Sequence, residues 1–167
     1  MLIQAGVKIR PHCQEFLKEL ATFAEIIIFT ASASSYADVV LDYLDPQNVL
    51  FSYRLYRHHC TLEKGYFVKD LRIVNRNPEN SVLVDNSALS FMCEPCQGIP
   101  ILPFYNFSKD KELLGLLEFL RELVKEDDMR LKIRDVFFWE KYWRSNRDCR
   151  KLFVEEFMDE EGKEVRN

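Results

Sequence analysis

Apolar and polar positions follow one another along this chain with two periods, and the switches between them outline its elements. Residues 81–87 read Ser-Val-Leu-Val-Asp-Asn-Ser, an apolar run that passes straight into an acid, an amide and a hydroxyl. A short apolar run bounded by polar turn residues is the pattern of a buried strand in a parallel sheet. A second run of the same design, Ile26-Ile27-Ile28-Phe29, leads into Thr30-Ala31-Ser32. Upstream, Val7 and Ile9 alternate with Lys8 and Arg10, as at the end of a half-exposed strand. Pro11 then opens a helix expected over 12–24, where Phe16, Leu17, Leu20 and Phe23 recur at helical spacing. Tyr36, Val39, Val40, Tyr43 and Leu44 predict another helix over 35–44, closed by the turn Asp45-Pro46-Gln47-Asn48.

Residues 51–67 alternate in patches around Glu63-Lys64-Gly65 and predict one or two strands with a glycine-assisted turn. Residues 75–80, with Asn77-Pro78, predict a loop; 87–92 predict a short helix and 99–102 a further strand. Eight apolar positions between Leu113 and Val124 mark the longest helix, and Ile133, Val136, Phe137 and Trp139 fit one more. The last nine residues are charged and expected to fray. Alternating helices and apolar strands make an α/β protein with a mostly parallel sheet.

Composition narrows the function classes. At 167 residues the chain holds one domain with a sizeable core, and not two comfortable ones. Its 23 basic and 27 acidic residues leave a net charge of −4, which argues against a general nucleic-acid binder. No run approaches the roughly 18 apolar residues of a membrane span, and the N-terminus turns polar too soon for a signal peptide. Five scattered cysteines, an odd number, suggest a reducing compartment, nuclear or cytoplasmic, and not a disulfide framework.

The residues that could do chemistry cluster at the strand ends, where ligands of open α/β sheets collect. Thr30 offers a hydroxyl followed by backbone N–H groups that can face an anion. Asp85 and Asn86 offer oxygens suited to a hard cation such as Mg²⁺. Lys69 lies between apolar residues and an acid; such a lysine is more often a solvated edge residue, but two strand-end sites in one chain draw it towards an anion. Arg54 and Arg57 could each pair with an anion, with a surface position as the plainer reading. Cys93-Glu94-Pro95-Cys96 lacks the second pair that a zinc site needs. In His58-His59-Cys60, successive strand residues would point to opposite faces, so a hairpin is expected there and not a ligand set. Trp139, Tyr142 and Trp143 read as packing.

In order, Lys8-Ile9-Arg10-Pro11-His12, Phe29-Thr30-Ala31-Ser32 with Tyr36-Ala37-Asp38, Tyr56-Arg57-His58-His59-Cys60, Val68-Lys69-Asp70-Leu71 and Val84-Asp85-Asn86-Ser87 resemble the small C-terminal-domain phosphatases. These form a branch of the haloacid dehalogenase superfamily that includes the Dullard-type enzymes, and the resemblance spans roughly 7–137. Ile133-Arg134-Asp135 is closest to the small-phosphatase-like-2 subgroup. The resemblance implies a Rossmann-like three-layer α/β fold with a mostly parallel central sheet, and a phosphatase homology domain over 1–137 followed by a helical extension and charged tail over 138–167. It also implies a phosphoserine or phosphothreonine substrate, as in an RNA polymerase II tail, and a requirement for Mg²⁺. Thr30 would bind the phosphoryl group, Lys69 neutralise it, Asp85 steady Lys69, Asp85 and Asn86 hold the metal, and Arg57 and Tyr36 face the substrate.

One departure bears on activity. The family's nucleophile lies in an Asp-x-Asp-x-Thr motif ending a first, central strand upstream of the Arg-Pro block, and no such spacing occurs in these 167 residues. The fold is therefore expected to be N-terminally incomplete, and 2–9 to be the last strand of the family's insert. The chain alone is expected not to turn over substrate, whether as part of an enzyme completed by another segment or partner, or as a phosphatase-derived module that binds a phosphopeptide or protein. A redox or zinc role rests on the lone Cys-x-x-Cys only.

Overall fold

The computed structural model of the chain describes residues 6–137. These fall into two compact units. The first holds the stretch up to Cys60 together with Ile101–Leu123. The second holds Thr61–Pro100 and the stretch from Val124 onward. The expected extension over 138–167, with Trp139, Tyr142 and Trp143, lies outside the described residues.

In the first unit, α1 (Cys13–Leu20) leads into β1 (Ile26–Phe29), then α2 (Ser34–Leu44) and β2 (Phe51–Leu55). β1 and β2 pair in parallel, with Ile28 opposite Arg54 and Phe29 opposite Leu55. The helix α3 (Glu112–Leu123) packs against α1. Phe16 and Leu17 of α1, Ala37 and Leu41 of α2, Ile26 and Phe51 of the strands and Leu113, Leu117, Leu120 and Leu123 of α3 are buried. The spacing of four, three and three along α3 is the stripe that a helix needs to keep one face dry. α1 is shorter than expected because Thr22 N and Phe23 N donate to carbonyls three residues back, Glu19 O and Leu20 O, each at 3.1 Å. Residues 7–10, expected as the end of a strand, are irregular. Arg10 is drawn instead to Asp110, just ahead of α3: Nε and Nη2 donate to the two Asp110 oxygens at 2.8 Å, and Nη1 donates to Leu102 O at 2.8 Å.

The turn from α2 to β2 is built on a buried acid. Asp45 is 3% exposed, and its carboxylate accepts from Val49 N, Leu50 N and Phe51 N at 3.0, 2.8 and 3.2 Å. Asn48, in the same turn, has a left-handed φ of 54°, which asparagine tolerates better than most residues.

In the second unit, β3 (Thr61–Glu63) and β4 (Tyr66–Val68) form an antiparallel hairpin. Its turn places Lys64 at φ 47° and Gly65 at φ 88°, a left-handed pair for which glycine is suited. β5 (Leu83–Asp85) and β6 (Gly98–Pro100) pair in parallel, and α4 (Met129–Phe137) packs on β6 and on the short turns beside it. The core is Val68, Leu83, Phe91, Met92, Ile99 and Ile133. Buried Gln97 is satisfied, its amide donating to Pro78 O at 3.1 Å and Ser81 O at 2.9 Å, and so it fixes the entry to β5. The segment expected as a helix over 87–92 is a 3-10 turn over Ala88–Phe91. The expected parallel sheet is present as two parallel pairs, one in each unit, plus the hairpin.

This packing has two testable outcomes. A Cβ on Gly98 would come within 2.1 Å of the Phe91 ring, itself only 2% exposed. Gly98→Ala is expected to destabilise the chain by about 3 kcal/mol, read as a fall in the urea midpoint. The second concerns pH. Burial alone would push the Asp45 carboxyl up, but three N–H bonds and Arg54 hold it below its ordinary value. Asp110 is held low chiefly by Arg10 and Asp70 chiefly by Arg72. Because the folded values lie below the unfolded value of about 3.9, this stability is present above roughly pH 4 and is lost as pH falls through the folded values. Asp45→Asn is expected to lower stability at pH 7 and flatten the acid limb of a stability–pH curve.

Candidate functional site

In the first unit, the strand β1 delivers Thr30 to the start of α2. The Thr30 N–H donates to Leu55 O at 2.9 Å, extending the β1–β2 ladder by one residue. Its hydroxyl oxygen accepts from Ser32 N at 3.1 Å. The hydroxyl hydrogen is therefore the part of Thr30 that can be given to a ligand. α2 begins behind Ala33, which offers no side chain to cap the first-turn N–H groups, and that turn has no acidic residue. An uncapped helix start after a hydroxyl suits an anion, because N–H groups and the helix dipole both point that way.

Arg57 is bound to this same loop. Its Nε donates to Ala31 O at 2.6 Å and its N–H to Ser32 O at 3.0 Å. Arg54, the other arginine considered, is consumed structurally: Nη1 donates to Asp38 at 3.2 Å and to Asp42 at 2.7 Å. The residues after them depart from the sequence reading. Arg57–His59 form a 3-10 turn and not a strand, so alternation to opposite faces does not apply. The His58 and His59 rings lie together, with centroids 4.0 Å apart. His59 Nδ1 accepts from Tyr56 N at 2.9 Å, and the Tyr56 hydroxyl donates to Asp38 at 2.5 Å. Tyr56 first, and Arg54 after it, hold the Asp38 carboxyl below its usual range, and Asp38 in turn pushes the Tyr56 hydroxyl up. Neither His59 nor Asp38 was assigned a role from sequence; the legible signal is Tyr56-x-x-His59, the spacing at which a histidine can cap a turn.

Tyr36, at the start of α2, is 48% exposed. It lines a shallow depression of about 470 Å³ with Val7, Lys8, Phe104, Tyr105 and Asn106. A lining of three aromatic side chains and a lysine suits a mixed apolar and anionic ligand.

In the second unit, Lys69 follows β4. Its N–H donates to Ser90 O at 2.7 Å, and its amine donates to the Asp85 carboxylate at the end of β5. The expected pairing of Lys69 with Asp85 is thus present. The two side chains are 12% and 8% exposed. The other Asp85 oxygen accepts from Ser87 N at 2.7 Å, so the acid turns the chain out of β5 as well as holding the lysine. Asp85 is committed to this work and is not placed as a nucleophile.

Among the described residues, no three His, Cys, Asp or Glu side chains gather as a metal group. Asn86 is exposed beside Asp85 and could lend a carbonyl oxygen, yet Asn86 and Asp85 together supply at most three side-chain oxygens, two already bonded, against the six that Mg²⁺ prefers. The residues present do not suffice to hold that ion. As for the Cys-x-x-Cys, burial chiefly pushes the Cys93 thiol up, with Asp70 adding to it. A thiol held protonated is a poor nucleophile. Cys13, Cys60, Cys93 and Cys96 are all thiols outside any disulfide.

The NLI interacting factor-like phosphatase family matches residues 2–130. The chain is 43% identical over 128 residues to a probable C-terminal domain small phosphatase of Dictyostelium discoideum, covering 77% of this chain and 42% of that protein. It is 39% identical over 126 residues to the human CTD small phosphatase-like protein, covering 75% and 45%. The solved structure of Fcp1, described as an essential RNA polymerase II CTD phosphatase, overlays with a TM-score of 0.50 at 19% identity, over 84% of this chain and 38% of that one; this likeness concerns fold alone. The chain belongs to the NLI interacting factor-like phosphatase family, within the haloacid dehalogenase superfamily, and its fold is the α/β fold of that family. It spans less than half the length of these relatives.

The ion pair carries a stability prediction. Removing one partner of a buried pair leaves an uncompensated charge, at roughly 3–5 kcal/mol. Asp85→Leu is therefore expected to cost on the order of 3 kcal/mol by urea denaturation, and Lys69→Met combined with it to recover more than half.

Proposed function

We propose that this chain carries the phosphate-handling residues of a Mg²⁺-dependent protein serine/threonine phosphatase, and that alone it binds phosphopeptides without hydrolysing them. The observation that carries the reading is Lys69, a cation fixed by Asp85 at the end of a strand. Asp85 could turn the chain at Ser87 without a lysine beside it, and a buried ion pair is by itself weak evidence of a stabilising role. In this reading the Thr30 hydroxyl of the first unit is a donor to a phosphoryl oxygen, and the Lys69 amine of the second is a cation for phosphoryl charge. Asp85 orients Lys69, and Arg57 and Tyr36 contact the rest of a phosphoserine or phosphothreonine peptide, such as an RNA polymerase II C-terminal tail. The domain occupies 1–137, and 138–167 form an extension to it. Mg²⁺, when bound, would polarise the phosphoryl oxygens; Asn86, with Asp85 beside it, would hold it only together with carboxylates that these residues do not supply. A nuclear or cytoplasmic setting fits the odd number of scattered cysteines, and no direct contact with nucleic acid is involved. No helix among the described residues is long and apolar enough to cross a membrane.

Turnover by this route needs a carboxylate in line with the phosphoryl group and a second acid to protonate the leaving oxygen. Asp85 is already occupied, and Thr30 has no base among its bonded partners. The alternative, a catalytically dead binding module for a phosphopeptide or protein partner, is favoured by that shortage of acids.

An assay of the purified chain with a chromogenic phosphomonoester and Mg²⁺ is expected to give no turnover. Adding an N-terminal segment with Asp-x-Asp-x-Thr is expected to produce it, and Asn86→Ala in that form to abolish the Mg²⁺-dependent turnover while leaving the fold intact. Turnover by the bare chain would remove the proposed assignment. No activity with the segment supplied would select the binding module.

A further inference from the structure

We infer that His59 is a positioning residue: its Nδ1 accepts the Tyr56 N–H and so locks the turn that presents Arg57 to the 30–32 loop. A three-residue 3-10 turn closes few bonds of its own, here His59 N to Tyr56 O at 2.8 Å and Cys60 N to Arg57 O at 3.0 Å. Such turns have poorer hydrogen-bond geometry than an α-helix, and the N–H at their entry has no acceptor within the turn. His59 supplies that acceptor at 2.9 Å. Because the donor is a backbone amide, Nδ1 carries no proton and the ring is the Nε2–H tautomer. The His59 ring lies close to that of His58, with centroids 4.0 Å apart and the planes tilted by 43°.

Tyr56 is thus held at both ends. Its N–H is held by His59, and its hydroxyl by Asp38 of α2, which Arg54 also reaches from β2. The next residue is Arg57, whose main chain and Nε are bonded to Ser32 O and Ala31 O. A rotation at Tyr56 would carry Arg57 off that loop. His59 acts through the turn, without touching the loop itself.

The inference rests on Arg57 as a phosphopeptide contact for its binding test only. Wild type, His59→Asn and His59→Phe of the whole chain are compared, the asparagine because its Oδ1 can take the place of Nδ1 as acceptor. The expected spectrum shows an unprotonated His59 Nδ1 by ¹⁵N shift, and Tyr56 amide exchange roughly tenfold faster in the phenylalanine variant but near wild type in the asparagine one. Affinity for a short phosphoserine-proline peptide is expected to fall roughly five- to tenfold in His59→Phe and to return in His59→Asn. The fall should vanish when Arg57 is already alanine, a coupling that mere loss of stability would not show. A protonated Nδ1, unchanged Tyr56 exchange in His59→Phe, or a loss of affinity that persists in Arg57→Ala would overturn the inference. Should wild type not distinguish phosphorylated from unphosphorylated peptide, the proposed function fails, while tautomer and amide exchange still decide whether His59 holds the turn.

Discussion

Carboxylates that accept backbone N–H groups hold the loops of this protein where the strands are too short to do so. The strands run three to five residues, too few for their own ladders to fix the loops at their ends. In place of ladder length, Asp45 gathers three N–H groups ahead of β2, Asp85 accepts from Ser87 after β5, and Asp110 accepts from Glu112 at the start of α3. Asp70 and Asp128 repeat the motif two residues on, at Arg72 and Arg130. An ionised carboxylate makes a stronger bond to an N–H than a neutral oxygen does. Several of these acids also take a cation: Arg10 on Asp110, Arg72 on Asp70, Lys69 on Asp85. One side chain therefore orders a loop and fixes a positive charge at the same time.

That double use explains which parts of the site could be read from the residues. The apolar runs at 26–29 and 81–87 announced their strands, and Asp85 stands at the end of the second, as its place after that run implied. The pairing of Lys69 with Asp85 followed from the family resemblance and is present. Residues 57–59 were misread because alternation along a strand was applied to a stretch that has no strand period, only a 3-10 turn. Arg10 was legible as part of a motif, but its bond to Asp110, one hundred residues away, has no local signature. Helix ends shifted by a few residues for the ordinary reason that frayed or tightened last turns leave no trace in periodicity.

The two arginines of the β2 exit show how placement decides role. Arg54 faces two acids of α2, Asp38 and Asp42, and these bonds push its own pKa up, Asp42 most of all. It serves the packing of helix on strand. Arg57, three residues on, donates through Nε to the neutral carbonyl of Ala31, a bond that fixes its direction. The turn at Tyr56 separates an arginine held by the acids of α2 from one whose Nε is held by the 30–32 loop.

Lys69 solves the corresponding problem by other means. A lysine side chain has about 2 kcal/mol of rotamer entropy to lose, and a flexible amine would lose it at the moment a phosphoryl group arrives. Here the backbone of Lys69 is held by Ser90 O and its amine by Asp85, so that cost is met in folding. The same pairing lowers the net positive charge on offer, since Asp85 cancels much of it at long range. What remains is a fixed dipole that is strong at hydrogen-bond distance and weak beyond it. In the proposed reading, such a group would discriminate a phosphoryl oxygen by position more than by attraction, the property asked of a group that stabilises charge in a defined geometry.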